Sequence, residues 1–137
     1  GPTQGGGLDG VTFVFGEPII LPTRLYFGQS PVRNVTLDLA GGAPALLIAD
    51  DRARYRLDIG MGRWAAGVTP LSSGFPEPYK ARAAWTSDHA LEVDLVFTEA
   101  GYRMGFAFHL DPHLYLHLTL PANPGLDGRR LTGRPYP

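Results

Sequence analysis

The sequence contains no cysteine. This excludes disulfide bonds, a thiol nucleophile and a thiolate metal site, although it does not assign the protein to a cellular compartment. An excess of charge of one sign is also missing, because 12 basic residues balance 13 acidic ones and the basic residues are scattered along the chain. We therefore expect no partner among nucleic acids or anionic membrane surfaces.

Long apolar runs are absent as well. The longest, such as Ala43 to Ala49, are too short to cross a bilayer, and no signal-peptide pattern opens the chain. Gly1 and Pro2 are the residues that a protease leaves when an affinity tag is cut away, and the next five have the composition of a linker. We expect residues 1–7 to be tag remnant and linker, and residues 8–137 to form a single soluble domain.

Apolar residues alternate with polar or small ones in successive runs between Tyr79 and Leu120. This period of two predicts strands with one buried face, since a helix would need spacings of three and four. The predicted inward-facing residues are Tyr79, Ala81, Ala83 and Trp85; Leu91, Val93, Leu95 and Phe97; Tyr102, Met104, Phe106, Phe108 and Leu110; and Leu114, Leu116, Leu118 and Leu120.

The first half of the chain is less regular. Short strands are predicted over residues 11–15, 35–39, 45–48 and 55–59. Two prolines between Glu17 and Thr23 predict an edge strand or a crossover, and Leu25 to Phe27 reads as a short pairing segment. Many glycines and prolines between Gly60 and Pro78 predict a long loop, anchored by Trp64.

About eight strands in a chain of this size predict an all-β fold, an antiparallel meander closed into a lipocalin-like barrel. Closure removes the exposed edges that an open sheet would leave. The interior of such a barrel is either filled by side chains or holds one small apolar molecule. The candidate lining residues are Tyr102, Met104, Phe106 and Phe108.

The order of several short segments resembles a known family. Gly60-Met61-Gly62-Arg63-Trp64 comes first, followed by Ala83-Ala84-Trp85-Thr86-Ser87-Asp88, then Phe97-Thr98-Glu99 and Phe106-Ala107-Phe108, and finally Leu131-Thr132-Gly133-Arg134. Together with the opening segment from Leu8 to Phe13, this is similar to the C-terminal β-barrel domain of bacterial serine hydrolases. These are the β-lactamase-related and penicillin-binding-protein-like enzymes, including D-aminopeptidases.

The resemblance covers about Leu8 to Pro135, and it implies a barrel that packs beside a catalytic domain and influences substrate access or assembly. It also implies a bacterial protein. The catalytic motif of these enzymes, Ser-x-x-Lys, belongs to the other domain. No serine here has a lysine three residues later; Ser30 has Arg33 at that spacing, which stays protonated and cannot act as a base.

Other possible sites are incomplete. His109 and His117 should lie diagonally on the outer face of adjacent strands with Tyr115 between them, but a metal site needs further ligands. Glu92 and Asp94 share the outer face of one strand, where solvated charge is the ordinary interpretation. Asp50 and Asp51 lack a third oxygen ligand for calcium. We expect no catalytic, cofactor-binding or metal-binding residue in this chain.

Two hypotheses follow. The first is a non-catalytic accessory domain whose partner is the catalytic domain of the same parent chain, with Trp64 and Phe75 as interface anchors because aromatic side chains supply much interface energy. The second is an independent barrel that binds a small apolar ligand.

Overall fold

A computed structural model of the protein describes residues 7–21, 30–71, 74–120 and 129–136, with the backbone alone for residues 129–131. These residues form eleven strands in one sheet, which confirms the predicted all-β barrel class. The strands are β1 (Thr12–Ile19), β2 (Val32–Asp38), β3 (Ala45–Asp50), β4 (Arg54–Asp58), β5 (Gly60–Met61), β6 (Ala65–Thr69), β7 (Glu77–Ser87), β8 (Ala90–Phe97), β9 (Tyr102–His109), β10 (Tyr115–Leu120) and β11 (Arg129–Pro135). No helix in the described residues is long and apolar enough to cross a membrane.

The sheet is an antiparallel meander that curls on itself. Its strand order is β4-β3-β2-β1-β11-β10-β9-β8-β7. The pairing of β1 with β11 joins the first four strands to the later ones. At the far side, β7 pairs with β6 in antiparallel and with β5 in parallel orientation. Strands β4 and β6 come into contact, which nearly closes the barrel, but the described residues form no backbone ladder between them. We call this line of contact the seam.

The core lies inside the curled sheet, as the alternation predicts. All of the predicted inward-facing residues are buried except Trp85, Leu110 and Leu114, which are partly exposed and pack against the core. Aromatic rings fill the centre: the ring centres of Phe13 and Phe108 lie 5.5 Å apart in an edge-on arrangement. Side chains therefore occupy the interior next to these strands.

The prediction of a long loop is wrong for the segment from Gly60 to Pro78. It contains β5 and β6, and β7 already begins at Glu77, which raises the strand count above the expected eight. The glycines allow this path. Gly62 has a φ of 70° and donates its N–H to the carbonyl of Ala83 at 2.7 Å, and the Arg63 carbonyl occupies the place that a Cβ of Gly60 would need.

The segment from Glu17 to Thr23, expected as an edge strand or a crossover, begins inside β1 in its described part. Strand β1 continues to Ile19, and its residues 13–15 pair with β11. Among the described residues, the ladder of residues 17–19 is limited to Ile19, opposite Val32 of β2. Pro18 is tolerated there because the register with β2 shifts between Val14 and Ile19, a bulge that needs no ladder hydrogen bond from proline. The predicted segment from Leu25 to Phe27 lies outside the described residues.

Candidate functional site

The two predicted interface anchors, Trp64 and Phe75, are both exposed but lie apart. Trp64 precedes β6 and exposes 37% of its surface; Phe75 follows β6, in the connection to β7, and exposes 59%. Because β6 separates them, they lie at opposite ends of this strand. The structure does not bring them into one cluster.

Trp64 lies on the outer face of the barrel beneath two cations. The Lys80 Nζ is 4.8 Å from the ring centre and the Arg82 guanidinium carbon is 4.6 Å from it. These distances are typical of cation–π contacts, which hold the indole against the sheet. Outward-facing Val68, on the same side of β6, exposes 64% of its surface. We call Trp64, Val68, Lys80 and Arg82 the Trp64 face.

The four predicted lining residues all point into the barrel. Tyr102, Met104, Phe106 and Phe108 expose 8% of their surface or less. The Phe106 and Phe108 rings are stacked with their centres 6.3 Å apart. The ring centres of Tyr102 and Phe97 are also 6.3 Å apart. These residues therefore pack against one another and their neighbours, as core side chains do.

Tyr102 differs from the other three because its hydroxyl is polar. The oxygen is buried and has no hydrogen-bond partner among the described residues. Burial raises the pKa of this phenol, since the charged form would lose its hydration. A buried polar group without a partner is uncommon in proteins, so it marks a position to which a ligand or a water molecule can bind.

The hydroxyl groups of the described serines bond to backbone groups in turns and loops. The Ser30 hydroxyl accepts a hydrogen bond from the Asp51 N–H at 3.1 Å, and the Ser87 hydroxyl accepts one from the His89 N–H at the same distance. Both are side-chain-to-backbone bonds of the kind that order loops. Ser72 and Ser73 lie outside the described residues.

The predicted register of the histidine strands is correct. Tyr115 lies directly opposite His109, and His117 lies on the diagonal from it. The ring centres of His109 and His117 are 5.7 Å apart. Tyr115 stacks on His109 at 4.3 Å. Burial lowers the pKa of His109, the nearby His117 lowers it further, and Glu92 acts in the opposite direction.

These histidines do not gather further ligands. Within the described ranges, no group of three or more histidine, aspartate or glutamate side chains is placed to hold a metal ion. Asp50, the other predicted candidate for a cation, instead accepts hydrogen bonds from the N–H groups of Arg52 and Ala53 at 2.8 and 2.9 Å. Its carboxylate closes a turn.

The outer face of β8, β9 and β10 contains a depression that the sequence reasoning missed. Its volume is about 340 Å³. Its outward-facing lining residues are Glu92, Asp94, Arg103, Gly105, Ala107 and Thr119. The available sequence signal was the pair of small residues, Gly105 and Ala107, at successive outward positions of one strand.

No protein-family model and no curated protein matches the chain.

Proposed function

We propose that this chain is a non-catalytic accessory β-barrel domain of a bacterial serine hydrolase, and that it packs on the catalytic domain of the same parent chain. The proposal starts from the resemblance of its short segments to such domains. The observation that carries it is the Trp64 face, an exposed indole and valine beside two cations on the outer side of β6 and β7.

The Trp64 face has the composition of an interface anchor. Tryptophan and arginine are enriched among the residues that supply most of the binding energy at protein interfaces. The two cations fix the orientation of the indole before any partner binds, which lowers the entropic cost of association. Val68 extends the apolar surface along β6.

The charge of this surface indicates the chemistry of its partner. Lys80, Arg82 and Arg103 project from β7 and β9, and Asp94 lies 3.9 Å from each of the two arginines. Only Lys80 and Arg82 of these lie directly against the Trp64 ring, so the surface at the indole itself is cationic. A complementary partner surface is therefore acidic around an apolar pocket.

The first test is the reading frame of the source gene. A long frame that encodes this chain together with Ser-x-x-Lys and Tyr-x-Asn motifs supports an accessory role. A frame that encodes no such motifs overturns it.

The second test uses that parent enzyme. If the barrel docks through the Trp64 face, the two domains unfold together in calorimetry, and Trp64→Ala separates the single transition into two. Tyr136→Ala is the matched control, because this tyrosine exposes 70% of its surface beside Thr12, on strands remote from β6. Phe75→Ala tests the second predicted anchor. Equal effects of Trp64→Ala and Tyr136→Ala would reject the Trp64 face as the docking surface.

A second candidate function, binding of a small apolar ligand in the barrel, is favoured by one observation. The buried hydroxyl of Tyr102 has no partner among the described residues, and the ring of Tyr102 lies 6.3 Å from that of Phe97 between centres. A fatty acid or retinoid with a polar head could pair with it. The packed aromatic rings of the core favour the first proposal over this one.

Tryptophan fluorescence tests the second candidate. Trp85 packs against the core, whereas Trp64 lies on the outer face, and the chain has two tryptophans. In a Trp64→Phe variant, all tryptophan emission therefore comes from Trp85. A shift on adding palmitate or retinol that is lost in Tyr102→Phe supports binding inside the barrel. Because register places Trp85 six strand residues from the row that contains Tyr102, the ¹⁵N-amide signals of Tyr102 and Phe97 are followed as well, and no change in either readout rejects binding.

A further inference from the structure

The depression on the outer face of β8–β10 has a floor of small residues and polar walls. Gly105 and Ala107 form the floor on β9. Glu92 and Asp94 stand on one side, on β8, and Thr119 stands on the other, on β10. Arg103 closes one end. The volume of about 340 Å³ falls at the small end of the range for ligand sites, roughly 300–1,000 Å³.

The glycine at the centre of this floor is required neither by a bulge nor by a positive φ. The register of β9 with both neighbours is continuous through Gly105, so no bulge requires it. Its φ is not positive, and an added Cβ would meet only the Cβ of Thr119, at an ordinary 3.8 Å. A glycine inside a strand is unfavourable, and besides bulges and barrel bends it marks sites where a ligand or another backbone approaches closely.

The walls supply hydrogen-bonding groups of both kinds. Register places Asp94, Gly105 and Thr119 in one row across the three strands, and Glu92 beside Ala107 in the next row. Carboxylates accept hydrogen bonds, the Arg103 guanidinium donates them, and the Thr119 hydroxyl does either. Asp94 lies 3.9 Å from Arg82 and from Arg103, which balances its charge.

The floor is apolar by comparison. The backbone groups of Gly105 and Ala107 are occupied in the ladders to β8 and β10, so the floor presents chiefly Cα–H groups and one methyl group. A matching ligand therefore has a small apolar face, hydrogen-bonding groups around its edge and no large net charge. A pyranose ring has this form, with C–H groups on its faces and hydroxyl groups around its rim.

We propose that this depression binds a pyranose sugar, with one face of the ring on Gly105 and Ala107 and its hydroxyl groups bonded to Glu92, Asp94, Arg103 and Thr119. The paired carboxylate and guanidinium select a neutral polyol over a free ion. The site lies outside the barrel and does not depend on the function proposed above.

The test is an NMR titration of the ¹⁵N-labelled chain with defined sugars. The probes are methyl β-glucopyranoside, N-acetylglucosamine and the β-1,4-linked disaccharides of each. Open polar sites of this size bind weakly, so we expect dissociation constants of about 1 mM, which corresponds to about −4 kcal/mol. The amide signals of Gly105, Ala107 and Thr119 should shift with at least one probe.

Variants decide whether the shifts come from this site. Gly105→Leu fills the floor and should weaken binding at least tenfold, and Glu92→Gln should weaken it less because it keeps the shape of the wall. Ala66→Leu is the matched control, since it adds an outward-facing leucine on β6, three strands from Gly105, and should bind as the original chain does.

Two results overturn the proposal. One is the absence of amide shifts at Gly105, Ala107 and Thr119 with every probe. The other is equal binding by the original chain and by Gly105→Leu, with the spectrum outside the depression unchanged to show that the variant folds. Gly105→Ala, a smaller change, should bind with intermediate affinity.

Discussion

The ring of Tyr79 lies directly against Gly67, its cross-strand partner in β6, and its hydroxyl reaches across the seam to accept a hydrogen bond from the Asp58 N–H at 2.8 Å. A Cβ on residue 67 would come within 2.5 Å of the tyrosine oxygen. The glycine thus allows the tyrosine to pass beneath β6 and to join it to β4. This contact connects two strands between which the described part of the chain forms no backbone ladder.

Gly67→Ala should therefore destabilise the protein. The added methyl group has to displace Tyr79 from the seam, and overpacking of this kind costs about 1–3 kcal/mol. Gly105→Ala is the matched control, because its methyl group meets only Thr119 at 3.8 Å and replaces a strand glycine, so it should be neutral or stabilise by up to about 1 kcal/mol. Urea denaturation measures both, and equal effects would contradict this account of the seam.

The sequence predicts the strands that carry a strict alternation, because burial of one face is visible in it. The register of β9 with β10 is predictable as well, since the short turn at residues 111–113 fixes Leu110 opposite Leu114, and this places His117 on the diagonal from His109. Strands β5 and β6 were not predictable. Two-residue β5 and glycine-containing β6 owe their form to pairing with β7, which is a tertiary contact.

The depression over Gly105 could not be predicted from the sequence for a related reason. Its walls come from three strands, and only their relative register places Asp94, Gly105 and Thr119 in one row. The sequence identified Glu92 and Asp94 as sharing an outer face, but it did not show that small residues lie beside them on the neighbouring strand.

Phe108 should be among the most sensitive core positions. It is fully buried between Phe13 and Phe106, with ring centres 5.5 and 6.3 Å away. Phe108→Ala leaves a cavity that these rings cannot close, so a loss of about 3–5 kcal/mol in the free energy of unfolding is expected. Val68→Ala, at an exposed position, should change it by less than about 0.5 kcal/mol. Thermal and urea denaturation test the difference, and similar losses would mean that Phe108 does not pack as described.

The two adjacent aspartates at the β3–β4 turn should contribute unequally to the free energy of unfolding. The Asp50 side chain is fully buried and accepts hydrogen bonds from the backbone of Arg52 and Ala53, so Asp50→Ala should cost about 1–3 kcal/mol. Asp51 pairs with Arg33 at 2.8 Å, and about half of each side chain is exposed to solvent. Asp51→Ala should therefore have little effect, because salt and water screen such a pair. Denaturation of the two variants at neutral pH decides the matter, and a larger loss for Asp51→Ala would refute the assignment.

The lowered pKa of His109 makes the stability of the protein depend on pH. Because burial disfavours its charged form, the unfolded chain takes up a proton more readily. The free energy of unfolding should be highest above the ordinary histidine pKa of about 6.5 and should fall as the pH drops from there through the lowered pKa of the folded state. His109→Gln should remove this part of the pH dependence, as urea denaturation at a series of pH values will show.

Two neighbours should shift the His109 titration in opposite directions. His117→Gln removes the neighbouring imidazole that lowers the pKa of His109 and whose ring centre lies 5.7 Å away, so it should raise that pKa toward its ordinary value. Glu92→Gln removes the carboxylate that favours the charged imidazole, so it should lower that pKa further. The Cε1–H resonance of His109, followed by NMR across the titration, reports both changes. If the two substitutions moved the midpoint in the same direction, a change in the burial of the ring, and not the two charges, would account for the shift.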